Sequence, residues 1–80
     1  MEWMHPAYPR ITVNPEICFG KPRIKGTRMP VDSILAYLAG GMSVEELVAE
    51  FDWITRDDVL EAIAFAAATM DAYEPLEQSL

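Results

Sequence analysis

The stretch GKPRIKGTRMP at residues 20–30 divides the chain into a strand-forming part and a helical part. It holds two glycines, two prolines and four of the six basic residues of the chain. Glycine tolerates positive φ and proline fixes its own φ, so the stretch favours turns around a short strand. Ile24 lies between two basic residues and is predicted to face inward. The stretch is therefore either a rigid, solvated hinge or a contact surface for an anion or a partner.

The net charge of −7 is distributed unevenly along the chain. Residues 1–31 carry five basic and two acidic side chains (+3), and residues 32–80 carry one basic and eleven acidic side chains (−10), which together give −7. A basic N-terminal surface suits an anion, whereas an acidic helical body suits a basic protein. The candidate nucleic-acid-binding residues are the four cations of the hinge: Lys21, Arg23, Lys25 and Arg28.

The segment before the hinge is predicted to form short extended structure. Residues 10–13 alternate polar and apolar side chains, and Asn14-Pro15 is a turn signal that ends this strand. Pairing with the strand around Ile24 would give a two-stranded ribbon that lies on the helices. Residues 1–9 are predicted to form a flexible N-terminal arm; either Trp3 and Tyr8 dock it onto the core or onto a neighbouring subunit, or it is disordered.

Helical periodicity and capping signals mark three helices after the hinge. The first has apolar residues at i, i+3, i+4 and i+7 from Val31 and ends at the glycines of residues 40–41. Ser43 and Thr55 are predicted to cap the second and third helices, each with an acidic residue three positions later. The third helix is expected to run from about Arg56 to about Tyr73.

The predicted fold is mainly α, with a three-helix helix-turn-helix bundle of homeodomain-like or winged-helix-like type and a short N-terminal two-stranded β ribbon. The predicted organisation is a flexible arm at 1–9, a single domain at 10–73 and a short C-terminal tail at 74–80. A chain of 80 residues buries a modest core, and its one cysteine makes no internal disulfide. An apolar content of 51% therefore suggests oligomerisation or a partner protein.

The third helix is the predicted interface. Ten of the twelve residues from 59 to 70 are apolar, and a helix that is apolar nearly all round must be covered on more than one side. It is either a central core helix, or the surface of a homodimer or a partner-filled groove, which we favour. The candidate interface residues are Ile63, Phe65, Ala66, Met70 and Tyr73.

Catalytic, nucleotide and metal chemistry are not expected. No Walker loop or G-x-G-x-x-G motif occurs, and the single histidine lies far in sequence from Cys18 and the serines. One cysteine and one histidine do not make a zinc site. The paired carboxylates lie at helix starts or on exposed helical faces, where capping and solvation account for them. We therefore expect no enzyme activity, no cofactor and a cytoplasmic protein, since no leader or membrane span is evident.

The third helix is a poor candidate for reading DNA. Its first turns carry Asp57, Asp58 and Glu61 beside the lone Arg56, and carboxylates repel phosphates. DNA binding would therefore fall to the four hinge cations, which a dimer doubles to eight.

Several motifs make the chain resemble domain-of-unknown-function family four-three-three over about residues 10–70. They are Cys18-Phe19-Gly20-Lys21-Pro22, Ile24-Lys25-Gly26-Thr27-Arg28, Gly40-Gly41-Met42-Ser43 and Thr55-Arg56-Asp57-Asp58-Val59. The resemblance implies a small prokaryotic helix-turn-helix, homeodomain-like protein. It further implies an antitoxin-like role, since many members are similar to antitoxins paired with a PIN-like ribonuclease toxin. Members of this family often have a Tyr-Pro before the third helix, whereas this chain has Phe51-Asp52-Trp53-Ile54 there.

Three functional hypotheses follow. The first is an antitoxin that binds and neutralises a PIN-like ribonuclease and binds operator DNA. The second is a stand-alone dimeric transcriptional regulator that binds DNA through the hinge cations. The third is a structural interaction module.

Overall fold

The computed structural model describes residues 2–72 and shows a mainly helical fold with short N-terminal strands. Met1, Tyr73 and the predicted tail at 74–80 lie outside the described residues. The elements in chain order are β1 (Trp3–Met4), β2 (Ile11–Val13), a 3-10 turn (Cys18–Gly20), β3 (Arg23–Ile24), α1 (Val31–Ala39), α2 (Val44–Glu50) and α3 (Arg56–Asp71).

The strands form one antiparallel sheet in the order β1-β2-β3. Thr12 in β2 pairs with Met4 of β1 on one side and with Arg23 of β3 on the other. The prediction of a two-stranded ribbon was therefore wrong: β1 comes from the segment expected to be a flexible arm. The unpaired backbone edge of β2 explains the addition, because main-chain groups at a sheet edge are open to a further strand. β1 has only two residues, which are too few to show the alternation of polar and apolar side chains that predicts a strand.

The turn between β3 and α1 is held by the side chain and backbone of Thr27. Its hydroxyl donates to the Ile24 carbonyl at 2.8 Å and accepts from the Met29 N–H at 3.0 Å. Gly26 has a φ of 77°, so the predicted need for positive φ is confirmed there. The chain then enters α1 directly after Pro30, whose extended backbone is the N-terminal boundary of the helix.

The three predicted helices are present. Ser43 and Glu46 form the predicted capping box at α2, and Thr55 and Asp58 form the one at α3. Each box satisfies two backbone N–H groups that the helix start would otherwise leave without a partner. Gly41, with a φ of 108°, follows the end of α1 as expected for a glycine stop.

The core lies where the sheet meets the three helices. Ile11 and Ile24 of the sheet contact a cluster completed by nonpolar residues from the β3–α1 turn, the α2–α3 connection and the helices: Met29, Val31, Ile34, Leu47, Ile54, Val59 and Ala62. Only two residues of α3, Val59 and Ala62, are fully buried among those the structure describes. The fully buried residues of the helix therefore lie in its first half, and apolar surface is exposed along its second half. Among residues 2–72, no helix has both the length and the apolar character needed to cross a membrane.

Candidate partner-binding groove

An apolar groove of about 300 Å³ lies between α1 and α3, beside the chain segment that precedes β3. The walls from α3 are Phe65, Ala66, Thr69 and Met70. The other side is formed by Lys21, Pro22, Val31, Asp32 and Leu35. The groove exists because Ala66 and Thr69 are too small to fill the space between the helices, whereas Phe65 and Met70 extend beside it.

The rim of the groove carries one ion pair. Lys21 Nζ lies 3.0 Å from Asp32 Oδ2, and both side chains are more than half exposed. An exposed pair of this kind contributes little to stability, but it cancels two opposite charges beside an apolar surface. The groove is therefore chemically suited to an apolar side chain rather than to an ion.

Three of the five predicted interface residues line this groove: Phe65, Ala66 and Met70. Phe65 is oriented by edge-on contacts with His5 and Tyr8, at ring-centroid distances of 5.5 and 5.9 Å. Met70 is 66% exposed, as expected for a side chain at an open groove. Ile63 does not line the groove, although it packs against the core as Phe65 and Ala66 do. The predicted interface residue Tyr73 lies outside the described residues.

Sequence reasoning missed the residues that α1 and the hinge contribute to the groove. Val31 and Leu35 are two of the apolar positions of the predicted helical period, and the structure buries Val31 but only partly buries Leu35. Pro22 gave no signal beyond its turn chemistry. An excess of apolar residues on both α1 and α3 is the signal that could have pointed to a shared, incompletely filled face.

The structure corrects the assignment of Arg23 as a DNA contact. This residue is 3% exposed, and its guanidinium donates to Glu2 Oε1 at 2.7 Å and to the Thr27 carbonyl at 2.7 Å. Strand alternation placed Ile24 toward the core and should have exposed Arg23 on the opposite face. That face is instead covered by Glu2 and the turn after β3, which the sequence did not reveal.

The other three predicted cations do not form one patch of free charge. Lys21 is paired at the groove rim, whereas Lys25 and Arg28 are exposed and form no ion pair with any residue from 2 to 72. They flank the Gly26-Thr27 turn, so they lie close together in the chain. Within residues 2–72, two of the four hinge cations are thus exposed without an ion pair.

The acidic first turns of α3 bind Arg10. The Arg10 N–H donates to Glu61 Oε2 at 2.6 Å, and its guanidinium lies 3.4 Å from both Asp58 Oδ1 and Glu61 Oε1. Asp57 is a more distant neighbour at 3.9 Å. These carboxylates attach the sheet to α3, which gives them a structural role. Sequence reasoning missed Arg10 because the contact spans about fifty positions.

The loop before the groove presents Phe19 to solvent with 97% of the residue exposed. Cys18, Phe19 and Gly20 have successive φ values of 54°, 58° and 78°, so the chain makes a left-handed turn. This conformation costs a non-glycine residue about 1–2 kcal/mol. Strain of this kind persists where the surrounding structure imposes it and is frequent at binding sites. No feature of the sequence distinguished Phe19 from a core aromatic residue.

A second exposed aromatic cluster lies at the α2–α3 connection. Trp53 is 53% exposed and meets Phe51 edge-on at 5.7 Å, and Phe51 lies 5.2 Å from the ring of Tyr37. Part of the Trp53 ring therefore packs within the chain.

Within residues 2–72, no group of three or more histidine, cysteine or acidic side chains is arranged to hold a metal ion.

These features define a small, mainly helical domain with an open apolar groove. Residues 11–66 match the model of the family described as "Protein of unknown function (DUF433)", so the chain belongs to that family. A crystal structure of a DUF433 member protein from Anabaena variabilis has a TM-score of 0.73 and 31% identity, covering 78% of this chain and 61% of that one.

A curated relative is the "Uncharacterized protein y4eO" of Sinorhizobium fredii, 33% identical over 58 residues. The match covers 72% of this chain but 26% of that protein, so the chain spans about a quarter of its relative's length. The shared region is thus a domain that occurs within a longer protein.

Proposed function

We propose that this protein is antitoxin-like and binds and neutralises a PIN-like ribonuclease toxin through the α1–α3 groove. The observation that carries the proposal is the groove itself, an apolar surface formed in part by the second half of α3, where no described residue is fully buried. Burying one large apolar side chain there would contribute about 1.5–3 kcal/mol to binding. The matching segment of the toxin is expected to be apolar for the same reason.

The charge of the helical body supports a basic partner. Glu45, Glu46 and Glu50 are exposed on α2, and the chain as a whole has a net charge of −7. A ribonuclease must attract the phosphates of RNA, so the face that binds RNA is positively charged. Complementary charge would steer the two proteins together and place carboxylates where RNA would otherwise bind. Neutralisation in this proposal is competition for that basic face.

Operator binding by a dimer is the second candidate function. The observation that favours it is the pair of exposed cations, Lys25 and Arg28, on the turn before α1. In this proposal α2 and α3 form a helix-turn-helix, but α3 does not bind in the major groove of the DNA. The acidic first turns of α3 hold Arg10 instead. A homodimer would bring four such cations to the phosphates, two from each copy.

The test is capture of the toxin by tagged protein from nuclease-treated native cells, with mass spectrometry of the bound proteins. We expect a PIN-like ribonuclease to be recovered in stoichiometric amount by the wild-type chain. Ala66→Glu places a charge in the groove and should lower capture at least tenfold. Ala64→Glu is the matched control, since Ala64 is exposed on the same helix and does not line the groove.

A folding defect is separated from a binding defect by a second variant. Met70→Glu changes a largely exposed side chain, so circular dichroism and the melting temperature should remain close to wild type. It should nevertheless lose capture and ribonuclease inhibition together. Equal capture by the Ala64→Glu and Ala66→Glu variants would show that the groove is not the binding site. Recovery of a specific DNA with no ribonuclease would favour the dimeric regulator.

A further inference from the structure

We infer that, before a partner binds, the groove of each chain is occupied by Phe19 of a second copy in a reciprocal dimer. The partner and the second copy would then compete for one site, so that dimerisation regulates its access. This inference rests on the groove being the docking site of the proposed function, but it does not depend on which protein the partner is.

The backbone fixes Phe19 in an outward position. The N–H groups of Gly20 and Lys21 donate to the carbonyls of Ile17 and Cys18 at 3.1 and 3.0 Å, which closes the left-handed turn. The Phe19 side chain is 97% exposed on a strained, hydrogen-bonded turn, and strained backbone of this kind clusters at binding sites. The turn holds the ring ready for insertion, which lowers the entropy lost on binding.

The groove and Phe19 are neighbours on the molecular surface. Lys21 lines the groove and lies two positions after Phe19, so their Cα atoms are at most about 7 Å apart. Phe19 does not fill the groove of its own chain, because almost all of its surface is exposed. A two-fold dimer uses the same surface of both copies. A surface that carries both an apolar side chain and an adjacent apolar groove meets this requirement.

The lining of the groove suits a phenyl ring. Leu35 offers an aliphatic wall, Phe65 an aromatic partner and Met70 a flexible thioether that adapts to a ring. The Lys21–Asp32 pair at the rim adds no net charge to an interface in which both copies bring the same residues. A second copy is therefore a chemically matched occupant that requires no additional protein.

The first experiment is sedimentation equilibrium of the full chain from 1 to 200 µM. We expect wild type to dimerise in this range, and Phe19→Ala to raise the dimer dissociation constant at least tenfold without a change in circular dichroism. Trp53→Ala, which removes another exposed aromatic residue, should leave the dissociation constant within twofold. A wild-type chain that stays monomeric, or a Phe19→Ala variant that dimerises like wild type, would overturn the inference.

A mixing experiment tests the reciprocal geometry. Phe19→Ala has a groove but no inserting ring, and Met70→Glu has the ring but a charged groove. Each variant alone loses both contacts, whereas a heterodimer of the two retains one. Native mass spectrometry of an equimolar mixture should therefore show heterodimer in at least threefold excess over either homodimer. A statistical mixture of the three species would overturn the inference.

The outcomes also separate this inference from the proposed function. Phe19→Ala keeps an intact groove, so it should capture the partner at least as well as wild type. If wild type is a dimer that captures no ribonuclease, and the Phe19→Ala variant is a monomer, the proposed function alone is overturned. If wild type captures the ribonuclease and the Phe19→Ala variant dimerises as wild type does, only the reciprocal dimer is overturned.

Discussion

Arg23 Nη2 donates to Glu2 Oε1 at 2.7 Å and joins two residues that are 21 positions apart in the chain. The Arg23 side chain is 4% exposed and that of Glu2 is 40% exposed, so the pair extends from the interior to the surface. The contact attaches the start of the chain to β3, beside the β1–β2 ladder. Arg23, which the sequence analysis named as a candidate DNA contact, is therefore a buried residue of the sheet.

Glu2 should contribute to stability in a pH-dependent way. The pKa of Glu2 is lowered from its usual value of 4.5, first by the neighbouring Thr12 hydroxyl and then by Asn14 and Arg23, while burial opposes them. The Thr12 hydroxyl is itself buried without a well-formed hydrogen bond among the described residues, so we regard Arg23 as the firmer partner. A lowered pKa in the folded state means that the stabilisation is present above pH 4.5 and is lost as the pH falls through the folded-state value.

The corresponding experiment compares wild type with Glu2→Gln in urea between pH 3 and pH 7. Glu2→Gln leaves the buried guanidinium without a counter-charge, so it should unfold at lower urea near neutral pH. The difference between the two proteins should shrink as the pH falls below 4.5. Glu16→Gln, at an exposed position, is the control and should match wild type throughout. A constant difference at every pH would contradict the role of the Glu2 charge.

The attachment of the sheet to α3 should depend on Glu61 more than on Asp57. Glu61 accepts the backbone N–H of Arg10 and forms an ion pair with its guanidinium at 3.4 Å, and the Glu61 side chain is 20% exposed. We expect Glu61→Ala to lower the free energy of unfolding by about 1.5–3 kcal/mol, as for other hydrogen bonds to a charged group. Asp57→Ala, at 3.9 Å from Arg10 and 74% exposed, should cost less than about 1 kcal/mol. Equal losses in chemical denaturation would contradict the assignment.

The cap of α3 should be a measurable source of stability. The Thr55 hydroxyl accepts from the Asp58 N–H at 3.1 Å, while the Asp58 carboxylate accepts from the Thr55 N–H at 2.9 Å. Thr55→Ala removes one half of this box and should cost about 1 kcal/mol. Thr69→Ala, which removes an exposed hydroxyl within the same helix, should change stability by no more than about 0.5 kcal/mol. Thermal unfolding of both variants tests the difference.

If the protein binds DNA, its affinity should depend only moderately on salt concentration, because few phosphates are contacted. Two free cations per chain give four in a dimer, so log K against log salt should have a slope of about −4. All eight hinge cations of a dimer would give about −7, which the burial of Arg23 and the pairing of Lys21 argue against. Fluorescence anisotropy on a labelled duplex measures this slope. Lys25→Ala with Arg28→Ala should remove the dependence, whereas Arg56→Ala should preserve it.

The local parts of the fold were predictable from neighbouring residues. The capping boxes that begin α2 and α3 involve side chains three positions from the backbone groups they bind. Gly26 and Gly41 mark turns for an equally local reason, since only glycine adopts positive φ without steric cost. The predicted positions of all three helices followed from such signals together with the helical period.

The candidate groove was predicted in part. The excess of apolar residues on α3 pointed to Phe65, Ala66 and Met70, but α1 and the hinge supply the opposite wall. Phe19 gave no local signal, because an aromatic residue beside a glycine fits a core position as well as an exposed turn. Its orientation depends on the left-handed path of the whole turn.

The sequence by itself determined the three helices, their caps and the separation of a basic N-terminal part from an acidic helical part, because these depend on residues close together in the chain. Only the tertiary structure decided which charges remain free and where apolar surface stays open. Arg10 and Arg23 find their carboxylates 51 and 21 positions away, and α1 contacts α3 although α2 lies between them in the chain. Such distant contacts leave no period or spacing in the sequence, so the function of these side chains becomes visible only in the folded chain.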